Sequence, residues 1–167
     1  VAPWDSGIVD HMGFFAVTAG IGVDEMVARF ERDKDAYNAI MVRVLVDRLA
    51  ESFAEVLHRQ VRKEWWGYAP DESLTPAGLF HLRYQGIRPA PGYPACPDHS
   101  QKRELFRFLD VTHKTGISLT DSHMMVPAAS VCGYYFAHPQ ASYFALGTID
   151  RDQLQDFARR RGMSEEE

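Results

Sequence analysis

The residues best suited to chemistry lie together in one segment, RPAPGYPACPDHSQK, which begins at Arg88. A guanidinium group can bind a carboxylate through two parallel hydrogen bonds, and the ring of Tyr93 offers a flat aromatic surface. Small residues alternate with prolines here, so we expect the backbone N–H and C=O groups of Ala90 and Gly92 to be accessible. This combination predicts a loop that binds a ligand carrying a carboxylate.

The prolines of this segment stiffen it. Each proline fixes its own φ angle and restricts the residue before it; the four are Pro89, Pro91, Pro94 and Pro97. A stiff loop loses little conformational entropy when a ligand binds. A rigid connector between two helices would explain the prolines equally well, but not why Arg88, Tyr93 and His99 accompany them. Both interpretations remain open from the residues alone, and a pocket beside the loop would decide between them.

Cys96 and His99 stand three positions apart, as half of a zinc site or a nucleophile–base pair would. The only other thiol is Cys132, and no second Cys-x-x-Cys or His-x-x-x-His accompanies them. A structural zinc requires four ligands in paired spacings. We therefore expect no metal, and two free thiols in a reducing compartment.

Gly20-Ile21-Gly22 lies between a predicted strand and a predicted helix, where a dinucleotide-binding turn would be found. Glu25 occupies the position at which the GxGxxG pattern has its third glycine, which allows close packing of the helix. The pattern therefore favours a plain strand-to-helix turn over a nucleotide site.

The longest predicted helix runs from about Ala36 to Val61. Apolar residues recur in it at spacings of three and four, which is the period of an amphipathic helix: Ile40, Met41, Val44, Leu45, Leu49, Phe53, Val56 and Leu57. Glu51 on this helix has Asp47 and Glu55 four residues away on either side. Such a stripe of like charge is favoured in solvent or beside a cation.

Three further helices are predicted besides the one that follows the glycine turn. Thr75-Pro76 is an N-cap followed by proline at the first helical position, which predicts a short helix toward Tyr84. Asp98 or Ser100 would cap the next helix, which continues through Val111 and stops near Gly116. The last helix is capped by Asp150, and its expected inward residues are Leu154, Phe157 and Ala158.

Strands are predicted where β-branched and aromatic residues concentrate: in HMGFFAVTAG, ISLTDSHMMV, SVCGYYFA and SYFALGTI. Residues 138–141 between the last two segments predict a hairpin connection. Strands and helices are grouped rather than alternating, which favours an α+β fold over a doubly wound sheet.

Composition limits the class of protein. The chain has 167 residues, of which 46% are hydrophobic and 25% charged, as in one globular domain. A net charge of −5 argues against nucleic-acid binding, because the one basic cluster, residues 159–161, lies at the end of a predicted helix. No stretch reaches the roughly 18 apolar residues of a membrane span, and the start lacks a signal peptide, so we expect a cytoplasmic protein. The first residue is Val, which indicates a processed chain or a piece of a longer one.

The segment at Arg88 closely resembles the Arg-x-x-x-Gly-Tyr signature of one family, the activation domain of cobalamin-dependent methionine synthase. The similarity extends in order over nearly the whole chain, through DSGIVDHMGFFAVTAG, DAYNAIMVRVLVDRLAESFAEVLH, WGYAP and SVCGYYFAHPQASYFALGTIDRDQ. The resemblance implies a C-shaped α+β domain around a twisted antiparallel sheet with flanking helices. It also implies that residues 1–167 are a single domain, the C-terminal module of a larger modular enzyme.

The resemblance further implies binding of S-adenosylmethionine and a part in reductive reactivation of cobalamin. In the family, cob(II)alamin receives one electron from flavodoxin or a similar reductase, and bound S-adenosylmethionine then methylates the reduced cobalamin. Cobalamin is held by a neighbouring module of the same methyltransferase, and zinc only by another module. The isolated domain is expected to bind its ligand without completing turnover.

The family's functional residues are carried over only where this sequence matches them. The resemblance assigns the ligand's carboxylate to Arg88, the adenine region to the backbone of Ala90, and the methyl group and corrin to Tyr93. It assigns further contacts with S-adenosylmethionine to Glu51, Gly92, Tyr143 and Phe144. It places Tyr93 and His99 at the interface with cobalamin.

The chain also departs from the family. Family domains are about twice as long, and an N-terminal part with a ligand-contacting aspartate has no counterpart here. Ser100-Gln101 replaces the Thr-Glu that usually follows the motif histidine. Two alternatives therefore stay open: a corrinoid-docking or ligand-sensing module without catalysis, and a nucleotide-dependent oxidoreductase, for which only the glycine turn argues.

Overall fold

The fold is built around a two-stranded antiparallel ribbon. The computed structural model describes residues 1–3 and 5–164. Strand β1 (Gly13–Thr18) pairs along its whole length with β4 (Ser130–Tyr135), with Gly13 opposite Tyr135 and Thr18 opposite Ser130. A second, smaller antiparallel pair joins β2 (Ser118–Leu119) to β3 (Met125–Val126). Antiparallel pairing with separate helices confirms the α+β prediction.

Six α-helices accompany these strands in the described residues. They are α1 (Val23–Arg32), α2 (Ala36–Gln60), α3 (Pro76–Phe80), α4 (Gln101–Leu109), α5 (Val111–Thr115) and α6 (Arg151–Arg161). A π-helical turn, Val61–Trp65, continues α2 without a break. None of these helices is long and apolar enough to cross a membrane.

The two faces of the ribbon pack against different helices, because side chains alternate along a strand. Phe15 and Val17 of β1 join Ala54 of α2 in one buried cluster. Phe14 and Ala16 point to the opposite face of the strand. They pack against a second cluster that contains Leu105 of α4 and Val111 of α5. The ribbon is therefore the central layer of the domain.

Several sequence predictions of elements are confirmed. Helix α2 matches the predicted range from Ala36 to Val61, and the Thr75 hydroxyl accepts a hydrogen bond of 3.2 Å from Gly78 N–H at the start of α3. The glycine turn is a strand-to-helix turn: Gly22 precedes α1 with φ of 77°, in the region that glycine adopts readily. Asp150 precedes α6, and its N–H donates to the Gln153 side chain over 3.0 Å.

The buried face of α2 is not the face that its large apolar residues indicate. Only small residues and one histidine of this helix are buried: Ala39, Ala50, Ala54 and His58. Its larger apolar side chains are mostly exposed, for example Leu49 at 59% and Phe53 at 48%. Small residues face the ribbon because they let the helix backbone approach it closely. Periodicity identified the helix but not the side that packs against the rest of the chain.

Two predicted helices are shorter than expected. Helix α3 ends at Phe80 instead of Tyr84, because Leu82 adopts a left-handed conformation with φ of 52°. The helix predicted to run through Val111 is divided at Asp110, where φ is 55° and ψ is 45°. A left-handed residue cannot continue a right-handed helix. In α6, Ala158 is buried as expected, but Leu154 is 44% exposed.

The prediction of a strand in SYFALGTI was wrong, and so was the prediction of a hairpin before it. Residues 141–147 have no regular structure, and Ala141 N–H closes only a local turn with His138 O at 3.0 Å. Ile87 takes the place beside β4 that a hairpin partner would need, since it exchanges two backbone hydrogen bonds with Phe136. Without a free partner edge, a β-favouring segment stays irregular.

Candidate functional site

The proline-rich loop, residues 88–97, lies against β4. Tyr134 N–H donates a 2.9 Å hydrogen bond to the carbonyl of Pro89. Next to it, a Cβ atom on Gly133 would come within 2.5 Å of the same Pro89 oxygen and 2.9 Å of the Phe15 ring. Only glycine fits this close backbone approach. Gly133 therefore allows the loop to lie directly on the strand.

The far end of the loop is a tight turn that holds itself together. Gly92 N–H donates to Cys96 O over 2.7 Å, and Cys96 N–H donates to Tyr93 O over 2.8 Å. Gly92 has φ of 101°, and a Cβ at this position would overlap the imidazole of His99. The N–H of Gly92 is consequently used within the loop. The N–H of Ala90 makes no hydrogen bond to any described residue.

A cavity of about 580 Å³ opens between this loop, helix α2 and the irregular segment 141–147. Its size is that of a small-molecule site. Six residues singled out from the sequence line it: Glu51, Arg88, Ala90, Tyr93, Tyr143 and Phe144. Gly92 and His99 are not among the lining residues. A pocket beside the loop favours the ligand-binding interpretation over the connector.

Arg88 is partly buried at this cavity, and one of its amino groups is fully engaged. Its Nη1 lies 2.7 Å from Oε2 of Glu55 and donates to the Tyr84 hydroxyl over 2.8 Å. The Nδ1 atom of His58 lies a further 3.4 Å from the same nitrogen. The Nε and Nη2 atoms have no hydrogen-bond partner among the described residues, so they are free to bind a carboxylate.

The segment that carries Tyr143 and Phe144 is tied to the loop at two points. The backbone N–H of Arg88 donates to the Tyr143 hydroxyl over 2.9 Å, and Leu146 N–H donates to Pro94 O over 3.2 Å. These long-range bonds take the place of the predicted strand. They bring both aromatic rings to the cavity.

Glu51 and Tyr93 face each other at the cavity. The Tyr93 hydroxyl donates a long, 3.4 Å hydrogen bond to Oε1 of Glu51, and both side chains are exposed. The partial burial of the ring first, and the Glu51 carboxylate second, raise the pKa of Tyr93 above its ordinary value, which favours the protonated hydroxyl. An exposed carboxylate beside an aromatic ring is suited to a cationic group.

Sequence reasoning missed the buried charges beneath Arg88. Arg62, in the π-helical turn, is fully buried; its Nε and Nη2 donate to the two oxygens of Glu72 over 2.6 and 2.8 Å. Its guanidinium stacks over the Tyr84 ring at 4.1 Å, and Nη2 lies 3.7 Å from Oε1 of Glu55. These residues are scattered in sequence, and only the nearness of Glu55 to the predicted acidic stripe could have suggested a role for it.

His58 is a neutral member of this buried layer. Burial, followed by the charges of Arg62 and Arg88, lowers its pKa to about 3. Its Nε2 lies 3.2 Å from the Tyr68 hydroxyl, and its ring stacks on Tyr135 with centroids 5.0 Å apart. A neutral ring can accept the weak hydrogen bond from Arg88.

His99 lies outside the cavity and is exposed. Its Nδ1 is 2.8 Å from Nζ of the buried Lys102, which also donates to His123 O over 3.2 Å. Because an ammonium group can only donate, Nδ1 is the acceptor and the proton of the neutral ring sits on Nε2. Lys102 therefore fixes the ring that packs against Gly92.

The two cysteines are separate thiols. Cys96 Sγ lies 3.6 Å from the side-chain oxygen of Gln101, and burial followed by Asp98 raises its pKa. Cys132 is buried, which raises its pKa to about 11. A raised pKa disfavours the nucleophilic thiolate. In the part of the chain that the structure describes, no three His, Cys, Asp or Glu side chains converge as metal ligands.

Two other cavities compare with this one in size. One of about 590 Å³ lies between β1 and α5 and is walled mainly by apolar residues. Another, of about 870 Å³, lies between the N-terminal residues and the stretch after β4. Neither is lined by an arginine, so the cavity at Arg88 is the better candidate for a carboxylate-bearing ligand although it is the smallest of the three.

Comparison with known proteins identifies the family of this chain. Residues 1–162 match the family model described as vitamin B12 dependent methionine synthase, activation domain. A solved structure described as the MetH reactivation domain bound to AdoHcy is 54% identical, with a TM-score of 0.95. The match covers 99% of this chain and 51% of that one, so this chain spans about half the length of its solved relative. The chain belongs to the family of vitamin B12-dependent methionine synthase activation domains.

Proposed function

We propose that the cavity at Arg88 binds S-adenosylmethionine and its demethylated product. The observation that carries this proposal is the free Nε–Nη2 edge of Arg88 in a cavity that also presents a free N–H at Ala90 and a carboxylate at Glu51. The solved relative binds AdoHcy, which has the same carboxylate and adenine groups.

The residues present fit the chemistry of this ligand. The ligand carboxylate suits the two parallel donors of Arg88. The ammonium and sulfonium groups suit the Glu51 carboxylate and the aromatic rings of Tyr93, Tyr143 and Phe144. The adenine offers hydrogen-bonding edges to the backbone of Ala90. When bound, S-adenosylmethionine would supply a methyl group, and the protein's own residues bind and orient it.

The wider role follows from the family. We propose that residues 1–167 form one activation module of a methyltransferase, methionine synthase, and support reductive reactivation of its cobalamin. The partners would be the cobalamin-binding module and an electron donor such as flavodoxin. The exposed ring of Tyr93, at 55%, and the exposed His99 are the residues we assign to the cobalamin interface. Two free cysteines agree with a cytoplasmic location.

Calorimetric titration with S-adenosylmethionine tests the binding proposal. We expect Arg88→Ala to weaken binding at least tenfold, because loss of a charge-assisted hydrogen bond costs about 1.5 to 3 kcal/mol. Arg88→Lys should recover little, since one ammonium cannot reproduce two parallel donors. Arg43→Ala is the matched control, because it removes an exposed arginine paired with Glu31 away from the cavity. If both Arg88 variants bind as the wild type does, the assignment is wrong.

Titration with NADPH and with a cobalamin-bearing module separates the alternatives. Binding of NADPH without S-adenosylmethionine would favour an oxidoreductase. Binding of the cobalamin module alone would favour a docking or sensing domain that has lost its ligand.

The role of His99 at the cobalamin interface is tested by His99→Ala. Since the ring lies outside the cavity, we expect S-adenosylmethionine affinity to change less than about twofold, while docking of the cobalamin-bearing module weakens. Lys102→Met, which removes the donor to Nδ1 but keeps the imidazole, shows whether orientation of the ring matters. Equal loss of both ligands would indicate a folding role, and loss of neither would remove His99 from the interface.

A further inference from the structure

The orientation of Arg88 is set through a single nitrogen. Nη1 donates to the Tyr84 hydroxyl over 2.8 Å, lies 3.4 Å from Nδ1 of His58, and makes its shortest contact, the 2.7 Å ion pair, with Oε2 of Glu55. Three partners around one nitrogen of a planar group fix the plane of the whole guanidinium, and Glu55 is the closest and the only charged one among them. Without Glu55, only the Tyr84 hydroxyl and the weak contact with His58 would hold this nitrogen.

This arrangement determines which edge of Arg88 is left for a ligand. Nε and Nη2 present two parallel N–H bonds, the spacing of which matches the two oxygens of a carboxylate. If Glu55 lay instead against the Nε–Nη2 edge, that edge would be filled and a ligand could use only single bonds. The contact of Glu55 with Nη1 therefore keeps the two-donor edge unoccupied.

Glu55 is itself held by the buried layer below. Its second oxygen, Oε1, is buried without a hydrogen bond, and Nη2 of Arg62 lies 3.7 Å from it. Arg62 is in turn fixed by both oxygens of Glu72. The π-helical turn at Val61–Trp65 carries Arg62 inward, and such turns are frequent at functional sites.

The charges of the four side chains in this ion-pair network balance before any ligand binds. Arg62 and Arg88 are positive, and Glu55 and Glu72 are negative. Arg88 is thus already neutralised by Glu55. If charge alone governed ligand binding, Glu55 would compete with a ligand carboxylate and its removal would tighten binding. If orientation governs binding, removal of the contact would weaken it. The two cases predict opposite outcomes.

We propose that Glu55 is a positioning residue that holds Nη1 of Arg88 and thereby gives the site its selectivity for ligands with a carboxylate. This proposal rests on the proposed function, since it concerns the same cavity. It adds a residue that does not line the cavity and that acts only through Arg88. Arg62 and Glu72 support Glu55 from below.

Two variants of Glu55 separate contact from charge. Glu55→Gln keeps an oxygen that can accept from Nη1 but removes the charge. Glu55→Asp keeps the charge but is one methylene shorter, which withdraws the carboxylate from Nη1. Glu31→Gln is the matched control, because it alters an exposed ion pair with Arg43 outside the site. Thermal unfolding of each variant confirms that it is folded.

The measurement is calorimetric affinity for S-adenosylmethionine and for its decarboxylated form, which lacks only the carboxylate. We expect the wild type, Glu55→Gln and Glu31→Gln to prefer S-adenosylmethionine tenfold or more. Glu55→Asp should reduce that preference below about threefold, with unchanged affinity for the decarboxylated ligand. The reverse pattern, selectivity kept in Glu55→Asp and changed in Glu55→Gln, would overturn the proposal.

A second measurement needs no ligand. Nitrogen NMR of the Arg88 guanidinium reports rotation about the Nε–Cζ bond, and a held Nη1 gives separate signals for Nη1 and Nη2. We expect separate signals in the wild type and Glu55→Gln, and one averaged signal in Glu55→Asp. One averaged signal for Nη1 and Nη2 in the wild type would overturn the positioning role of Glu55, whether or not the protein binds S-adenosylmethionine. Separate signals in a wild type that does not bind S-adenosylmethionine would instead refute the proposed function alone.

Discussion

Replacing Arg62 with alanine is expected to lower the free energy of unfolding by about 3 to 5 kcal/mol. The side chain is fully buried, and it provides both donors to Glu72, whose side chain is only 7% exposed. Without the guanidinium, Glu72 is left as a buried charge with no strong partner, and Glu55 loses the cation beside Oε1. The stacking of the guanidinium on Tyr84 is lost as well.

Chemical denaturation of three variants and the wild type tests this expectation. Arg62→Ala should lower the midpoint strongly, whereas the double change Arg62→Met with Glu72→Leu should recover most of the loss, because replacing both members of a buried ion pair by apolar residues is often nearly neutral. Arg43→Ala, at an exposed pair, should cost no more than about 1 kcal/mol. A loss below about 1 kcal/mol in Arg62→Ala would contradict the account of a buried charge pair.

The double variant Arg62→Met with Glu72→Leu also tests whether the buried ion pair contributes to ligand selectivity. It restores folding but removes the cation that faces Glu55. If the buried layer positions Glu55, this variant should be stable and yet show weaker selectivity for the ligand carboxylate. Full selectivity in a stable double variant would show that Glu55 needs no support from below.

Stability is expected to fall steeply as the pH is lowered, through His58. Burial, with the charges of Arg62 and Arg88, lowers the pKa of this group to about 3 in the folded protein, whereas an unfolded histidine titrates near 6.5. Below about pH 6.5 the unfolded chain therefore takes up a proton that the folded chain does not. The stabilisation is complete above that pH and is lost toward pH 3, by about 1.4 kcal/mol per pH unit. At pH 4 the loss amounts to about 3 kcal/mol.

Comparison with His58→Gln isolates this effect from the other titrating groups. Glutamine can accept from Arg88 and donate to Tyr68, which are the two hydrogen-bond contacts of the histidine, but it does not titrate. Denaturation between pH 6 and pH 4 should show a slope in the wild type that exceeds that of the variant by about 1.4 kcal/mol per pH unit. Equal slopes would mean that His58 accepts a proton in the folded state.

The sequence by itself determined the parts of this protein that depend on local chemistry. Regular spacing identified α2, the Thr75 cap located α3, and Asp150 marked the start of α6. The prolines and the motif at Arg88 predicted a ligand-binding loop, and a cavity lies beside that loop in the structure. Caps, glycine turns and helical periods are set by neighbouring residues, so one sequence is enough to recognise them.

Tertiary structure decided what depends on distant partners. It selected the alanine face of α2, because close approach to the ribbon requires small residues. It left SYFALGTI irregular, because Ile87 occupies the edge of β4 beyond Tyr135. It also assembled Glu72, Arg62, Glu55 and Arg88 into one chain of ion pairs that runs from the buried Arg62 to the partly buried Arg88. Strand pairing and burial of charge join residues far apart in sequence, and no local pattern records which of them will meet.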